Sequence, residues 1–295
     1  MRVVACVALT FTAITLAAPV FAEVAVIPRG ADGISGVLEM HDRNLSPLLI
    51  WSPVRRGGPR NAYLNPDGDY YQDGPPSIVF NPVTRQPEAV WSYWDGSYYQ
   101  IAWSRFNGKT WTMVETPLGK DYQYLTSDER QNFDPKLWID HAGNRRVVWW
   151  RRGQGEPDDV VIAVLPAGET QWWSPQRVSR DGVPTRRADI RTFPLYGTFI
   201  VAEEDTAGIL SLVIFDSPLL NGHVPQRGSD PWGRTLLSIA GPSTSLSASI
   251  VSRQTSADGE IPVVMWKDGT SLAVSVYDAE AGVFADPYYT TPPAW

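Results

Sequence analysis

The chain has 295 residues, of which 13 are Trp, 12 Tyr and 9 Phe, and its formal net charge at pH 7 is −7. This aromatic content excludes a disordered, charge-rich polymer. The acidic balance, with no basic stripe along the sequence, argues against a nucleic-acid-binding protein. The length is sufficient for one large domain with a proper hydrophobic core.

The N-terminal segment has the layout of a cleavable secretory signal. Arg2 precedes an apolar run that ends in the small-residue sequence VFA, and Thr and Pro residues interrupt this run. The run is short for a membrane-spanning helix, which needs ~20 apolar residues. We therefore expect residues 1–22 to be a signal peptide and residues 23–295 to be a single exported domain, periplasmic or secreted and without a transmembrane segment. Cys6 is the only cysteine, so the exported domain would have neither disulfides nor thiolate chemistry.

Strand signals dominate the rest of the chain. Short runs of Val, Ile, Trp, Tyr and Thr are bounded by Asp-Gly, Asn-Gly and Pro, and few windows place apolar residues at helical spacing. The sequence therefore predicts an all-β protein. The runs also recur as units of four strands, with clear copies at 74–117, 135–178 and 247–290, a weaker copy at 188–238 and a partial one at 34–64.

Repeated four-stranded units are typical of the blades of a β-propeller, and five blades fit the length best. A position in the predicted second strand is occupied in successive copies by Trp51, Trp91, Trp149, Ala202 and Trp266. We expect Trp91, Trp149 and Trp266 to pack in the core, because each ring buries ~150–250 Å². An ordinary β-sandwich is the alternative, which the repeated strand order disfavours.

One segment resembles a family motif. Residues 104–111 read Ser-Arg-Phe-Asn-Gly-Lys-Thr-Trp, which is similar to the Asp-box (BNR repeat) of sialidase-type propellers, Ser-x-Asp-x-Gly-x-Thr-Trp, with Phe106 in place of the Asp. Traces of the same pattern place Trp172-Trp173 and Trp232 at the starts of fourth strands. The resemblance implies a propeller. It does not imply sialidase activity, because the Phe-Arg-Ile-Pro motif that supplies the family's first catalytic arginine does not occur in this sequence.

Carboxylates occur where the predicted first strands begin, at the mouth of a propeller's central channel. They are Asp73, Asp134 and Asp189, and Glu203 and Glu204 lie in a loop that opens on the same face. Converging carboxylates can act as acid and base on a glycosidic bond or hold a cation. In this respect the chain resembles the five-bladed furanosidase-type glycosidases, which use acidic residues from successive blades. The alternative is that each Asp caps a turn by accepting hydrogen bonds from backbone amides.

Aromatic and basic residues of the loops between second and third strands are candidates for ligand binding at that mouth. Trp94, Tyr98 and Tyr99 offer flat faces with a hydrogen-bonding edge, which suit a sugar ring. Arg151 and Arg152 follow in the next predicted blade. The Tyr and Trp residues could instead cover the ends of the sheets.

A weaker candidate is a calcium loop. Oxygen-bearing side chains alternate at Asn65, Asp67, Asp69 and Asp73, as in calcium-binding loops. Pro76 stands at the twelfth position, where an EF-hand has Glu, so an Asp/Gly turn is the simpler interpretation. Apart from this weak possibility of calcium, we expect no cofactor.

These features favour an exported β-propeller that binds an extracellular carbohydrate or an envelope protein. A propeller-type glycoside hydrolase that uses the converging carboxylates is one alternative. A structural subunit without a small ligand is the other.

Overall fold

The computed structural model describes residues 24–290, apart from 28–35, 44–45, 54–59, 64–73, 75, 107–110, 113–122, 154, 207–208, 218–232, 240–247, 256–258 and 269–270. The described residues form 22 β-strands in five antiparallel sheets, which confirms the prediction of an all-β chain. They contain no helix that is long and apolar enough to cross a membrane. The predicted signal peptide, residues 1–22, lies outside them.

Each sheet consists of strands that follow one another along the chain. The first sheet contains β1 (Val24–Ile27), β2 (Gly36–Arg43), β3 (Ser46–Pro53) and β4 (Arg60–Tyr63). The second contains β5 (Ser77–Phe80), β6 (Pro87–Trp94) and β7 (Tyr99–Phe106), with the short strands β8 (Trp111–Thr112) and β9 (Gln123–Tyr124) both paired to β7. The third contains β10 (Gln131–Ile139), β11 (Arg145–Arg152), β12 (Asp159–Leu165) and β13 (Gln176–Arg177).

The last two sheets repeat this order. The fourth contains β14 (Thr185–Phe193), β15 (Gly197–Thr206), β16 (Ile209–Ser217) and β17 (Gly233–Ile239). The fifth contains β18 (Ala248–Thr255), β19 (Gly259–Asp268) and β20 (Ser271–Asp278), with β21 (Val283–Phe284) and β22 (Tyr288–Thr290) both paired to β20. Contacts join each sheet to the next along the chain, β1 to β5, β5 to β10, β10 to β14 and β14 to β18.

Short polar side chains close the tight turns between strands. The Oδ1 atom of Asp140 accepts hydrogen bonds from the amides of Ala142 and Asn144, at 3.0 and 2.9 Å. Gly143 in the same turn has φ 88°, a left-handed conformation that glycine adopts without strain. Asn81 and Asp95 cap their turns in the same way. The residue types from which the sequence predicts turns therefore do lie in turns. Asp and Asn side chains accept the hydrogen bonds that close the turns, and Gly143 adopts the left-handed backbone that its turn requires.

The core lies between successive sheets. Val90 and Trp103 of the second sheet pack with Val147 and Trp149 of the third, and similar clusters join the third sheet to the fourth and the fourth to the fifth. The side chains predicted for this core, Trp91, Trp149 and Trp266, are at most 1% exposed, so that prediction is confirmed.

Two strand predictions are wrong. The segment containing Trp51 lies in the third strand of its sheet and not in the second, because β1 adds a strand ahead of β2. The segment at Trp172 and Trp173 does not begin a fourth strand; the strand is Gln176–Arg177. Trp172 instead packs edge-on against Trp103 of the neighbouring sheet, with 5.5 Å between ring centroids. Trp232 and residues 107–110 of the Asp-box-like segment lie outside the described residues.

First strands of two consecutive sheets carry a β-bulge at the same place. In β10, Asp134 and Pro135 together lie opposite Trp149, and in β14, Arg187 and Ala188 together lie opposite Ala202, so each strand has one extra residue. Asp134 and Arg187 both have left-handed backbones, with φ of 46° and 53°. Such conformations are uncommon for residues other than glycine and concentrate at functional sites.

Candidate functional site

The start of β10 is fastened to the turn between β6 and β7. The amide of Tyr99 donates to Oε1 of Gln131 at 2.9 Å, and Nδ2 of Asn132 donates to the carbonyl of Tyr99 at 3.0 Å. Asp95 holds the turn itself, since its Oδ1 accepts the amides of Ser97 and Tyr98. These bonds bring the second and third sheets together at the end where their first strands begin.

Four aromatic side chains form a continuous row across this end. Ring centroids are 5.0 Å apart for Trp94 and Tyr99, 5.3 Å for Tyr99 and Phe133, and 4.7 Å for Phe133 and Trp150. We call these four residues the aromatic row. All four are partly exposed, unlike the buried tryptophans of the core. The Arg152 guanidinium lies over the last ring, 5.3 Å from its centroid, as a cation–π pair.

A carboxylate stands beside the row. Nε1 of Trp150 donates to Oδ2 of Asp134 at 3.1 Å, which leaves Oδ1 of this partly exposed side chain able to accept a ligand hydroxyl. The bulge explains the position of Asp134, because the extra residue in β10 breaks the strict alternation of the strand. The predicted candidate Asp134 therefore contacts Trp150, at the opposite end of the row from the predicted residue Trp94.

The two arginines predicted to bind ligand differ in their availability. Arg151 binds Asp159 with two hydrogen bonds, from Nε at 2.7 Å and from Nη2 at 2.9 Å. Burial lowers the pKa of Arg151, but the hydrogen bonds and charge of Asp159 outweigh burial and raise it overall. The Arg152 side chain is 54% exposed and contacts Asp158 at 3.3 Å. Arg152 is therefore the accessible cation at the aromatic row, whereas Arg151 is held in an ion pair. Tyr98 is partly exposed in the turn.

Asp189 has another position and other partners. Its Oδ1 accepts the amide of Ile190 and its Oδ2 accepts the amide of Ile250 on β18, each at 2.9 Å. Burial raises the pKa of Asp189, although the two amides and the charges of Lys136 and Arg191 oppose this effect. The carboxylate thus ties the fourth sheet to the fifth.

The expectation that Asp134 and Asp189 correspond in successive strands is wrong by two residues. When the strand pairings of the two sheets are compared, Asp134 corresponds to Arg187 and Lys136 corresponds to Asp189. Lys136 lies opposite Val148, the residue before Trp149, and Asp189 lies opposite Val201, the residue before Ala202. Ser77 occupies the same place in β5, and its Oγ accepts the amide of Leu137 on β10 at 3.1 Å. Ser77 and Asp189 therefore make the same kind of bond between sheets.

Glu203 and Glu204 are buried and paired with arginines. Glu203 contacts Arg187 at 3.2 Å. Glu204 accepts from Arg180 at 3.0 Å and from Nε of Arg234 at 2.9 Å. A carboxylate held in this way is neutralised by its partners.

The remaining candidates lie outside the described residues. They are Asn65, Asp67, Asp69 and Asp73, so the calcium loop stays a prediction. In the part of the chain that the structure describes, no group of three or more His, Cys, Asp or Glu side chains is arranged to hold a metal ion.

Two members of the row, Phe133 and Trp150, were not among the predicted site residues. Trp150 was part of a predicted strand, next to the core residue Trp149. The alternation of side chains along a strand places Trp150 on the other face of the sheet from Trp149, but it does not predict that Phe133 and Tyr99 pack on that face. The one local signal was the Asp-Pro pair after Phe133, since Pro in a strand indicates a bulge.

The sequence matches no protein-family model and no curated protein. Solved structures are similar to it in fold. An α-L-arabinofuranosidase from Lactobacillus brevis is 10% identical with a TM-score of 0.50, and the match covers 93% of this chain and 96% of that one. An α-L-arabinofuranosidase from Clostridium thermocellum is 12% identical with a TM-score of 0.51 and the same coverage. A polysaccharide lyase that cleaves ulvan is 11% identical with a TM-score of 0.54, over 86% of this chain and 63% of that one. At these identities the similarity shows that the chain has the propeller-like all-β fold of these enzymes, and it shows the fold alone.

Proposed function

We propose that this chain is an exported five-bladed β-propeller that binds a carbohydrate chain along the aromatic row. Five consecutive sheets, each in contact with the next, support the blade arrangement. Two arabinofuranosidases of similar fold match nearly the full length of the chain, which also supports it. The observation that carries the proposal is the row itself, with an acceptor at Asp134 and a donor at Arg152 along its edge.

The chemistry of the row suits a sugar better than a protein surface. A pyranose or furanose ring presents C–H groups on its faces and hydroxyls at its rim, so that it stacks on an aromatic ring while its hydroxyls bond to polar groups nearby. Asp134 accepts such a hydroxyl hydrogen bond, and Arg152 donates one. An envelope protein would need a broad apolar patch. In the described residues the most exposed large apolar side chains, among them Leu195 and Tyr288, belong to other segments.

Hydrolysis of a glycosidic bond is the second candidate function. The α-L-arabinofuranosidases of similar fold favour it, as does the position of Asp134 beside the row. A glycosidase needs two carboxyl groups about 5–10 Å apart, one as acid and one as base or nucleophile. Glu203 and Glu204 are neutralised by arginines and Asp189 binds two backbone amides. Of the predicted partners for Asp134, this leaves Asp73, which lies outside the described residues.

A glycan array followed by calorimetric titration tests the binding proposal. We expect the wild-type protein to bind a defined group of oligosaccharides, and Trp150→Ala to weaken that binding by about 10-fold or more, because the stacking residue beside Asp134 and Arg152 is lost. Tyr98→Ala is the matched control, since Tyr98 lies at the same end but outside the row; it should change affinity by about 3-fold at most. The absence of any glycan ligand, or equal binding by Trp150→Ala and the wild type with the fold intact by circular dichroism, would contradict the proposal.

The same glycans, incubated with the wild-type protein and with Asp134→Asn, separate binding from hydrolysis. If the second candidate is right, the wild type releases sugar products, and Asp134→Asn retains binding but loses turnover. Glycans that are bound and recovered intact establish a binding module and exclude hydrolysis of those substrates.

A further inference from the structure

A pocket lies at the opposite end of the first strands from the aromatic row. Its volume is about 440 Å³, and it is formed where β5, β10 and β14 end and turn into their second strands. Phe133 of the row and Ile139 of the pocket are six residues apart on β10, which separates them by about 20 Å. The pocket is therefore separate from the aromatic row, and a ligand bound there would be additional to the proposed carbohydrate.

Arg191 places a cation in this pocket. Its guanidinium lies 4.6 Å from the centroid of the Trp138 ring and 5.5 Å from that of Phe193. Nη2 donates to the hydroxyl of Ser252 at 2.8 Å, and the nearest carboxylate oxygen, on Glu260, is 3.6 Å away. Stacking and these contacts hold the guanidinium in place without enclosing it in a close bidentate ion pair.

The pocket walls also contain two buried N–H donors whose bonding is incomplete. Nε of Arg191 and Nε1 of Trp138 are both buried, and neither donates to an acceptor among the described residues. These two donors are closed to solvent, so they lie behind the surface of the pocket and do not themselves reach a ligand. Burial lowers the pKa of Arg191 and outweighs the charges of Glu260 and Asp189 and the hydrogen bond to Glu260, which raise it.

The other arginine of the pocket is already neutralised. Arg146 contacts Oδ2 of Asp140 at 2.9 Å. Burial raises the pKa of Asp140, but the hydrogen bonds from Asn144 and Arg146 outweigh burial and lower it overall. Asp140 is therefore ionised as the close partner of Arg146, whereas the carboxylate partner of Arg191 is Glu260, at the longer distance of 3.6 Å.

Most of the remaining lining is apolar, and its other polar residues are His141, Asn144, Thr192 and Glu260. Val79 and Phe80 from β5, Ile139 from β10 and Phe193 from β14 face the pocket, and the exposed Pro194 lies at its rim. A pocket of this size with apolar walls and few polar groups is typical of small-molecule sites. A free inorganic anion would leave these walls uncovered, whereas a neutral apolar molecule would add no acceptor for the Arg191 guanidinium.

We infer that this pocket binds a small organic carboxylate, with its carboxylate at Arg191 and its apolar body against Val79, Phe80 and Ile139. The carboxylate oxygens accept hydrogen bonds from the guanidinium, and the apolar body displaces water from the walls.

Calorimetry and saturation-transfer NMR with matched probes test this inference. The probes are phenylacetate, benzoate and hexanoate, each compared with its uncharged amide. We expect at least one carboxylate to bind at least 10-fold more tightly than its amide, because the amide has no charge to pair with Arg191. Arg191→Gln should reduce the affinity for that carboxylate to the level of its amide. Equal binding of acids and amides, or binding of neither, would overturn the inference.

Ala142→Trp provides a second variant that preserves Arg191. Ala142 is exposed at the rim. It donates a hydrogen bond to Asp140 from its backbone amide, so its side chain takes no part in that contact. The added indole should block the pocket and abolish carboxylate binding, while glycan binding at the distant aromatic row stays as in the wild type. Arg177→Gln, which removes an exposed arginine on β13, should leave carboxylate binding unchanged. Unaltered binding by Ala142→Trp would show that the carboxylate occupies another place and would refute this site.

Discussion

Asp189 shows how burial and hydrogen bonding compete at one carboxyl group. Both of its oxygens accept backbone amides, which favours the ionised form, yet burial is the larger influence and raises the pKa of the group. A carboxyl whose pKa is higher in the folded chain than in the unfolded chain stabilises the fold most at low pH. Its contribution is lost as the pH rises through the folded-state pKa.

Comparison of the wild type with Asp189→Asn measures this contribution. We expect the wild type's advantage in free energy of unfolding to be largest below the ordinary carboxyl pKa of about 4, to fall as the pH rises, and then to level off. Urea unfolding at a series of pH values from about 3.5 to 8 provides the measurement. Asp140→Asn is the matched control with the opposite sign, because the pKa of Asp140 is lowered and its contribution is lost as the pH falls. A difference for Asp189 that grows with pH would show that the amides outweigh burial.

At the scale of elements, the strands could be predicted from local sequence patterns, whereas the bulge in β14 could not. Turn residues and β-branched runs were sufficient to place most strands, because each of these signals acts within a few residues of the chain. The bulge in β14 has no such signal: Arg187 and Ala188 are ordinary strand residues, and only their pairing with β15 reveals the insertion. The expected match between Asp134 and Asp189 failed for another reason, since Asp134 lies 15 residues before Trp149 (149 − 134) and Asp189 lies 13 residues before Ala202 (202 − 189).

The candidate sites were predicted only in part, because some of their residues come together through contacts between sheets. Trp94 and Tyr99 flank an Asp-Gly turn that the sequence shows directly, so they were found. Phe133 joins them through a contact between sheets, which no local pattern encodes. The pocket at Arg191 also depends on contacts between sheets, because Trp138, Glu260 and Ser252 approach it from separate segments.

Paired substitutions at two positions of β10 test the strain at its bulge. At Asp134, where φ is 46°, we expect Val to destabilise the fold by about 1–3 kcal/mol relative to Gly, because a β-branched side chain clashes in the left-handed region. At Lys136, where the strand is regular again, the order should reverse, with Val more stable than Gly by about 0.5–1 kcal/mol. Both Asp134 variants lose the bond to Trp150, so their difference isolates the backbone. Equal stability of Val and Gly at Asp134, measured by urea unfolding, would show that the bulge relaxes.

At the scale of the whole molecule, hydrogen bonds and ion pairs connect sheets that are otherwise joined by apolar packing. Glu88 of the second sheet is fully buried and accepts two hydrogen bonds from Arg145 of the third, each at 2.6 Å. Asn81 and the Trp103 indole donate to the same carboxylate, at 2.7 and 3.1 Å. Both charges are thus paired and saturated with hydrogen bonds, which a buried ion pair requires.

Removal of one member of this pair should weaken the contact between the two sheets. We expect Glu88→Gln to lower the free energy of unfolding by about 3–5 kcal/mol, because the Arg145 charge is then buried without a counter-ion. Adding Arg145→Met should restore most of this loss, since no unpaired charge remains and the apolar side chain fills similar space. The surface pair is the control: Asp158→Asn, which removes the partner of the exposed Arg152, should change stability by less than about 1 kcal/mol. Urea unfolding and calorimetry measure all three variants. If Glu88→Gln were no more destabilising than Asp158→Asn, then apolar packing alone would hold these two sheets together, and the buried pair would serve only to fix their relative position.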